Sequence, residues 1–342
     1  MKQYFLKFTA WIAELIQLIK DFFTDSIAWL RLSAIKLKDL VKTNYELGVL
    51  HLDNGNIFDA KIRLMLVLKF RPDFALAHYH LARCHLFNLT SDLAEQELET
   101  ALALDPNLIA AQYRLKLIKH TVLNGPISTQ VAREDYNALA NQYENYAIKQ
   151  LNYDAPELLA EAIARQFENN KSDAERTFKA LDLGCGTGLV GAYLAQRVTI
   201  TSQTGLDISE KMLSLAKALE INNCVVYAET KECDFHNLEV VTDKFDIITA
   251  CMSFSYANDL SAIFTKIANI TLEETILGLV VLKSSLEPIE FNYDYACFSF
   301  SEKFLQDIFK KFNWLVVEQK EITLFVDGSI GLMFILKQIN QK

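Results

Sequence analysis

The N-terminal third of the chain is patterned for helices. Phe5, Phe8, Ile12, Leu15, Ile19 and Phe22 recur at alternating spacings of three and four, which is one stripe of an amphipathic helix. A second stripe runs through Ile27, Leu30, Ala34, Leu37 and Val41, after a short Thr24-Asp25-Ser26 turn whose Asp or Ser can cap it. Together they predict an antiparallel helical hairpin over residues 1–39. The pattern then repeats. Setting Arg71-Pro72 over Asp105-Pro106, at a spacing of 34 residues, aligns Leu47 with Leu81, Gly48 with Ala82, Ala60 with Ala94, Leu64 with Leu98 and Val67 with Ala101. The small positions let two helices approach closely, and each proline stops the second helix of a unit. A third first-helix is predicted from Leu108 to about His120. From Thr177 the period changes. Short apolar runs at Phe178–Leu183, Thr204–Leu206, Cys224–Tyr227, Phe245–Thr249, Ile276–Leu282, Trp314–Lys320 and Leu332–Leu336 read as strands, with amphipathic helices between them. That alternation predicts a doubly wound, mostly parallel sheet of seven strands, with its ligand beyond the carboxyl ends of the strands.

The 34-residue unit resembles the tetratricopeptide repeat. The resemblance implies a concave groove that takes an extended peptide or another protein, so a protein partner or substrate is expected there. Placing Lys38 where the prolines fall puts the 1–39 hairpin at the same period, as a degenerate leading repeat or cap. His78, His80 and His85 surround Cys84, but His78 and His85 fall where the repeat packs large side chains. They are expected to pack or line the groove, and no metal site is expected. Asn124-Gly125-Pro126 and Ser128 break the helical pattern and predict a linker over 123–133. The fold class is therefore α + α/β, with a repeat domain over 1–122 and a Rossmann-like domain over 134–342.

Composition narrows the partners. Apolar residues make up 51% and charged residues 23% of 342, the balance of an ordinary globular protein. A formal net charge of -9 lacks the positive field that draws polyanions, so nucleic acid is not expected. Six cysteines without a CxxC pair or zinc spacing, and without a secretory leader ahead of them, predict a cytoplasmic protein. Glu14, Lys20, Asp21 and Asp25 interrupt the first apolar stretch, so no membrane span is expected. Contact of the first hairpin with a membrane surface stays open, although its mixed charges favour packing. Oligomeric state leaves no signature.

The chemistry concentrates at Leu181 to Gly188. Gly184, Gly186 and Gly188 follow the first strand directly and precede a helix predicted over Leu189 to Arg197. Glycine lets the backbone turn sharply and lets a ligand approach the main chain, while unpaired N–H groups at a helix start can face a ligand carboxylate. Asp207 ends the next strand, 19 residues after Gly188, where it can accept from both hydroxyls of a ribose. Gly186-x-Gly188-x-x-Gly191 also fits a dinucleotide fingerprint. Asp182 before the turn and the Asp207-Ile208-Ser209-x-x-Met212-Leu213 run decide between them: together they resemble class I S-adenosylmethionine-dependent methyltransferases.

That resemblance covers roughly Glu134 to Leu336 and is similar to a bacterial family carrying tetratricopeptide repeats before the catalytic domain. It implies S-adenosylmethionine as cofactor, with Asp182 bracing the glycine turn, Asp207 holding the ribose and Ile208 flanking the adenine. Glu229, 22 residues after Asp207, is the acid expected near the adenine amino group, with Asp234 as the competing choice. Tyr143, in the Tyr136-x-x-Leu139-Ala140-x-x-Tyr143-Glu144 segment, and the Leu151-x-Tyr153-x-x-Pro156-Glu157 turn are expected to cover the cofactor. The acceptor side departs from the family. Met252, expected among the residues at the cofactor, stands where an acid is usual, the Pro-Gly-Gly turn is replaced by Thr271 to Thr275, and Asp294-Tyr295-Ala296-Cys297 replaces a segment with two basic groups. No catalytic residue can be named. Tyr256, Asp259 and Tyr295 are candidates to line an acceptor pocket. Two functions follow: a methyltransferase whose repeats recruit its protein substrate, or a non-catalytic adaptor on a degenerate methyltransferase fold.

Overall fold

The computed structural model describes residues 39–121, 127–168, 176–285 and 287–339. The predicted first hairpin, apart from its last residue, and the Asn124-Gly125-Pro126 turn lie outside them. Packing separates two units, one of residues 39–52 and 57–106 and one of residues 53–56 and 107–339.

The first unit is helical throughout: α1 (39–53), α2 (Ile57–Phe70), α3 (Ala75–Phe87) and α4 (Ser91–Leu104). Arg71-Pro72 and Asp105-Pro106 fall just past the ends of α2 and α4, where the missing N–H stops each helix. Leu52, Ala60, Leu64, Val67, Ala77, Leu81 and Cys84 form the core. A methyl group on Gly48 would lie 3.1 Å from the Leu64 side chain, so the small residue sets how closely α1 meets α2. The histidines are engaged locally. His78 Nδ1 lies 2.6 Å from Glu97 and His85 Nδ1 lies 3.0 Å from the Thr90 hydroxyl, while His80 meets Arg83.

In the second unit, α5 (Ile109–Ile118) precedes α6 (Thr129–Leu139). Arg114 on α5 is buried and binds Asp135 at 2.8 Å and Glu134 at 3.2 Å on α6. Residues Thr129 to Arg133, expected in a linker, are instead the start of α6. Val131, Ala132 and Ala138 bury one face of that helix, and Ser128, taken as a breaker, stands at its N-cap position. A short 3-10 turn (Ala140–Gln142) and a wide-turned helix (Asn145–Gln150) lead into α7 (Ala155–Glu168).

The sheet follows. Its strands are β1 (Phe178–Leu183), β2 (Ile200–Asp207), β5 (Glu229–Glu232), β6 (Phe245–Cys251), β7 (Thr271–Lys283), β10 (Trp314–Thr323) and β11 (Ile330–Gln338), in the order β10-β11-β7-β6-β1-β2-β5. β8 (Ile289–Asn292) and β9 (Cys297–Phe300) join beside β7, giving nine strands where seven were predicted. The pairs among β5, β2, β1, β6 and β7 are parallel, while β11 pairs antiparallel with β7 and β10. From β1 the chain steps outward through α8 (Leu189–Ala195) to β2 and through α9 (Glu210–Ala218) to β5. It then returns to β6 on the other side of β1 and continues through α10 (Leu260–Ile267) to β7. Right-handed crossovers in opposite directions put α8 and α10 on opposite faces and open a crevice between β1 and β6. α11 (Glu302–Lys311) joins the α10 side, where Phe264 packs against Phe309, Phe312 and Trp314. Among the described residues, no helix is long and apolar enough to cross a membrane.

One predicted strand is corrected. Cys224-Val225 is β4 of a separate two-stranded hairpin with β3 (Glu220–Ile221), turned by Asn222 and Asn223 at φ 51° and 64°. The strand that joins the main sheet, β5, comes four residues later and reads Glu-Thr-Lys-Glu. It is an edge strand, and edges carry charge to resist further pairing, so it has no apolar pattern to detect.

Candidate functional site

The turn after β1 is built on three glycines with left-handed backbone, Gly184 at φ 74°, Gly186 at 54° and Gly188 at 100°. At Gly184 a methyl group would fall 2.4 Å from Ser253 Cβ, so only glycine lets the turn after β6 close against it. At Gly186 the space beyond Cα is open to 4 Å, so the main chain there faces the crevice. The turn's N–H groups are largely spent inside the fold: Gly184 and Cys185 donate to Leu206, Gly188 to Cys185, and Gly186 to Asp207. The hydroxyls of Thr187 and Ser253 are both buried and find no partner among the described residues. The predicted helix beyond the turn, α8, ends at Ala195, two residues short of Arg197.

Asp182 sits beneath the turn, 2% exposed, and accepts 2.7 Å bonds from the Tyr227 and Thr249 hydroxyls. Burial pushes its pKa up to about 6, against the pull of those two donors. It ties β1 to β6 and to the segment before β5, so its role is bracing. Asp207, at the carboxyl end of β2, accepts from Gly186 N at 2.9 Å and Ser209 N at 2.8 Å. Burial raises its pKa, and the N–H donors hold it back. A carboxylate has roughly four acceptor sites, so capacity for further donors remains. Ile208, half-buried, follows it, and Arg133 of α6 donates to the Ile208 carbonyl at 3.0 Å. Ser209 caps α9 and donates to Asn137 of α6 at 2.7 Å, which lays α6 across the end of β2.

Glu229 does not reach this region. It opens β5 opposite Thr204, in the middle of β2 and three residues before the level of Asp207, and is exposed beside Lys231. Asp207 is level with Glu232, so the residues just past the carboxyl end of β5 are Cys233 and Asp234. Asp234, the competing choice, lies there and accepts from Thr129 of α6 at 2.6 Å. The predicted strand Cys224–Tyr227 had set Glu229 just past a strand's carboxyl end. Its missed signal was Asn222-Asn223, a hairpin turn that assigns Cys224 to a pair with Ile221.

Met252 directly follows β6, with φ 62°, and donates from its N–H to Val280 at 2.8 Å. It stands on the β6 side of the crevice, facing across from the glycine turn through Ser253. The neighbouring residues of the turn after β6, Cys251 and Tyr256, meet a group of tyrosines that includes Tyr136 of α6, Tyr143 and Tyr153. Tyr136 and Tyr256 hydroxyls are 2.6 Å apart, the Tyr136 and Tyr143 rings 6.4 Å apart, and the Tyr153 hydroxyl 3.2 Å from Cys251 Sγ. Tyr143 and Tyr256 were anticipated, whereas Tyr136 and Tyr153 were noticed only as part of covering segments. The other acceptor candidates lie elsewhere. Asp259 caps α10 by accepting from Ala262 N at 3.1 Å, and Tyr295 bonds Asp327 and Ser329 in the outer loops.

Comparison with known proteins agrees with this geometry. Residues 180–273 match a family model described as a methyltransferase domain. A malonyl-[acyl-carrier protein] O-methyltransferase of Bacillus anthracis is 28% identical over 138 residues, 40% of this chain and 47% of that protein. The human mitochondrial arginine-hydroxylase NDUFAF5 is 29% identical over 123 residues, 36% of this chain and 34% of that one. The chain thus spans half or less of the length of these curated relatives. Among solved structures, the [4+2]-cyclase SpnF superposes with a TM-score of 0.53 at 12% identity, over 64% of this chain and 99% of that chain. Residues 180–273 thus match a methyltransferase domain, and the sheet that holds them is Rossmann-like.

Proposed function

We propose that the protein transfers the methyl group of S-adenosylmethionine to a protein partner brought by its N-terminal helices. The observation that carries this is the pairing of the left-handed glycine turn with Asp207 across the β1–β2 carboxyl ends, joined by the 2.9 Å Gly186–Asp207 bond. The orphan hydroxyls of Thr187 and Ser253 suit a polar ligand on that turn. Asp207 would hold the ribose hydroxyls, Ile208 and Asp234 would flank the adenine, and Tyr143 would cover the cofactor. Methyl transfer asks little more of the chain than alignment, because the bound cofactor supplies an activated methyl group.

Support for recruitment comes from the 34-residue spacing of helix pairs, the mark of tetratricopeptide-like repeats, and from α2 itself. Phe58 is 76% exposed, Ile62 51% and Met65 53%, on the side of α2 away from buried Ala60, Leu64 and Val67. An apolar stripe opposite a packed one suits a covering partner. The cytoplasm is the proposed compartment, on the cysteine pattern.

Isothermal titration tests the cofactor site: S-adenosylmethionine or S-adenosylhomocysteine should bind, and failure of both refutes the function. The non-catalytic adaptor is the second reading, favoured by Met252 where an acid was expected. Transfer of label from S-adenosylmethionine to any acceptor in a cell extract eliminates it.

A further inference from the structure

The names of the relatives cover different chemistries, so the class of acceptor is argued from this chain's own cleft. Tyr136, Tyr143 and Tyr256 are each partly buried and keep some accessible surface. They come from α6, the turn after it and the turn after β6, and Asn137 and Arg133 tie α6 to Ser209 and Ile208, just past Asp207. The group therefore stands beside the proposed ribose site, over the crevice between β1 and β6.

Every ionisable group facing this cleft is either a proton holder or already paired. Burial raises the phenols of Tyr136, Tyr143, Tyr153 and Tyr256 above their ordinary range, so they stay protonated and act as donors. The thiols of Cys251 and Cys297 are pushed up to about 12 by burial. Asp182 is bound by Tyr227 and Thr249, Asp207 by backbone N–H groups, and Asp135 by Arg114. Among the described residues, then, the cleft offers hydroxyl donors and no idle base. An ammonium, thiol, alcohol or phenol acceptor would have to give up a proton on the way to product. A carboxylate arrives already ionised.

We propose that the acceptor is a carboxylate, one oxygen of which is held by the Tyr136–Tyr256 hydroxyl pair while the other receives the methyl group; this rests on the methyltransferase function proposed above. Of the two hydroxyl protons in that 2.6 Å pair, one lies between the oxygens and the other is free to donate to an anion. The free carboxylate oxygen attacks the methyl carbon. An O–C bond forms as the C–S bond breaks, the bonding pair passes to sulfur, and a neutral methyl ester and S-adenosylhomocysteine result with no proton moved. The cationic sulfur of the cofactor also balances the charge of the entering carboxylate.

The test uses the full chain, S-adenosylmethionine tritiated in the methyl group, and a soluble cell extract as the source of acceptors. Methyl esters release volatile methanol in mild base, whereas methyl groups on nitrogen, sulfur or an aryl oxygen do not. Base-labile label is the expected result, with a transfer rate flat from about pH 6.5 to 8.5, since carboxylates near pKa 4 are ionised throughout. Base-stable label, or a rate climbing about tenfold per pH unit as an amine would give, overturns the carboxylate. Tyr256→Phe should raise the acceptor KM ten- to hundredfold, the range for a hydrogen bond to a charged group. Its S-adenosylhomocysteine affinity should be unchanged, which also shows that it folds. Unchanged acceptor KM in both Tyr256→Phe and Tyr136→Phe overturns the role of the pair. Cofactor binding with no transfer to any acceptor defeats the proposed function itself, a result distinct from base-stable label.

Discussion

Removing one oxygen atom from Tyr227 tests how the glycine turn is braced. In Tyr227→Phe the ring stays, and with it the packing against Gly188, where a methyl group would come within 2.9 Å of that ring. What is lost is the 2.7 Å bond to Asp182. Asp182 has a folded pKa of about 6 against an ordinary 3.8, so between those values the native state binds more protons than the unfolded state. Stability contributed by this group therefore falls as pH rises through that window and levels off above it. The Tyr227 bond favours the ionised form, and a bond to a charged group is worth about 1.5–3 kcal/mol. Its removal should lift the Asp182 pKa by a further one to two units, at about 1.4 kcal/mol per unit. At about pH 5 the carboxyl is protonated in both proteins, and the variant should lose only about 1 kcal/mol, the worth of a neutral bond. At about pH 8 the wild type is ionised while the variant holds its proton more tightly, so the loss should grow by about 2 kcal/mol. Urea unfolding followed by circular dichroism at the two pH values measures the difference. Equal losses at both would mean that Tyr227 does not hold the charged form of Asp182.

Three further outcomes are expected. Asp207→Ala should weaken S-adenosylhomocysteine binding at least tenfold by titration calorimetry, because it removes acceptors for charged hydrogen bonds. Glu229→Gln should leave that affinity unchanged, since Glu229 lies at the amino end of β5; a tenfold loss would restore it to the site. Gly186→Ala should cost the fold only the left-handed strain of about 1–2 kcal/mol, because nothing lies within 4 Å of the added methyl group. Cofactor binding should nevertheless be lost, and retained binding would show that the ligand does not approach this part of the main chain.

Local chemistry explains which parts of the fold were legible. β1, β6 and β7 lie in the middle of the sheet and are mostly buried, and they show as largely apolar runs in Ala180–Leu183, Ile247–Ala250 and Ile276–Leu282, broken by Asp182 and Thr249, which bond each other. β5 lies at the edge and is Glu-Thr-Lys-Glu, whereas Val226 and Tyr227, which look like strand, are buried with Cys185, Leu213 and Ala216. Taking one for the other put Glu229, and not Asp234, just past the carboxyl end of a strand. Ser128 misled in the same way, because a residue that breaks one helix also begins another. The glycine turn was readable because its requirement is confined to a few consecutive residues, each needing a backbone that side chains disfavour.

The acceptor side was not readable, because it is assembled across the chain. Tyr136 and Tyr256 are 120 residues apart, and neither carries a local signal that it will meet the other; α6 has first to be laid across β2 by Arg133 and Asn137. From the sequence alone, Met252 reads as a lost acid. In the fold it lies between Cys251, which the Tyr153 hydroxyl meets, and the turn that carries Tyr256; both phenols hold their protons fast, and the two observations become one change. A cleft that takes a proton from its acceptor needs an ionisable side chain after β6. A cleft that receives an anion needs donors instead, and an acid at position 252 would repel the acceptor it serves. On that argument Met252→Asp would not restore a missing function. It should suppress transfer above about pH 5 and spare cofactor binding, and faster transfer in that variant would return the proton-removing mechanism to first place.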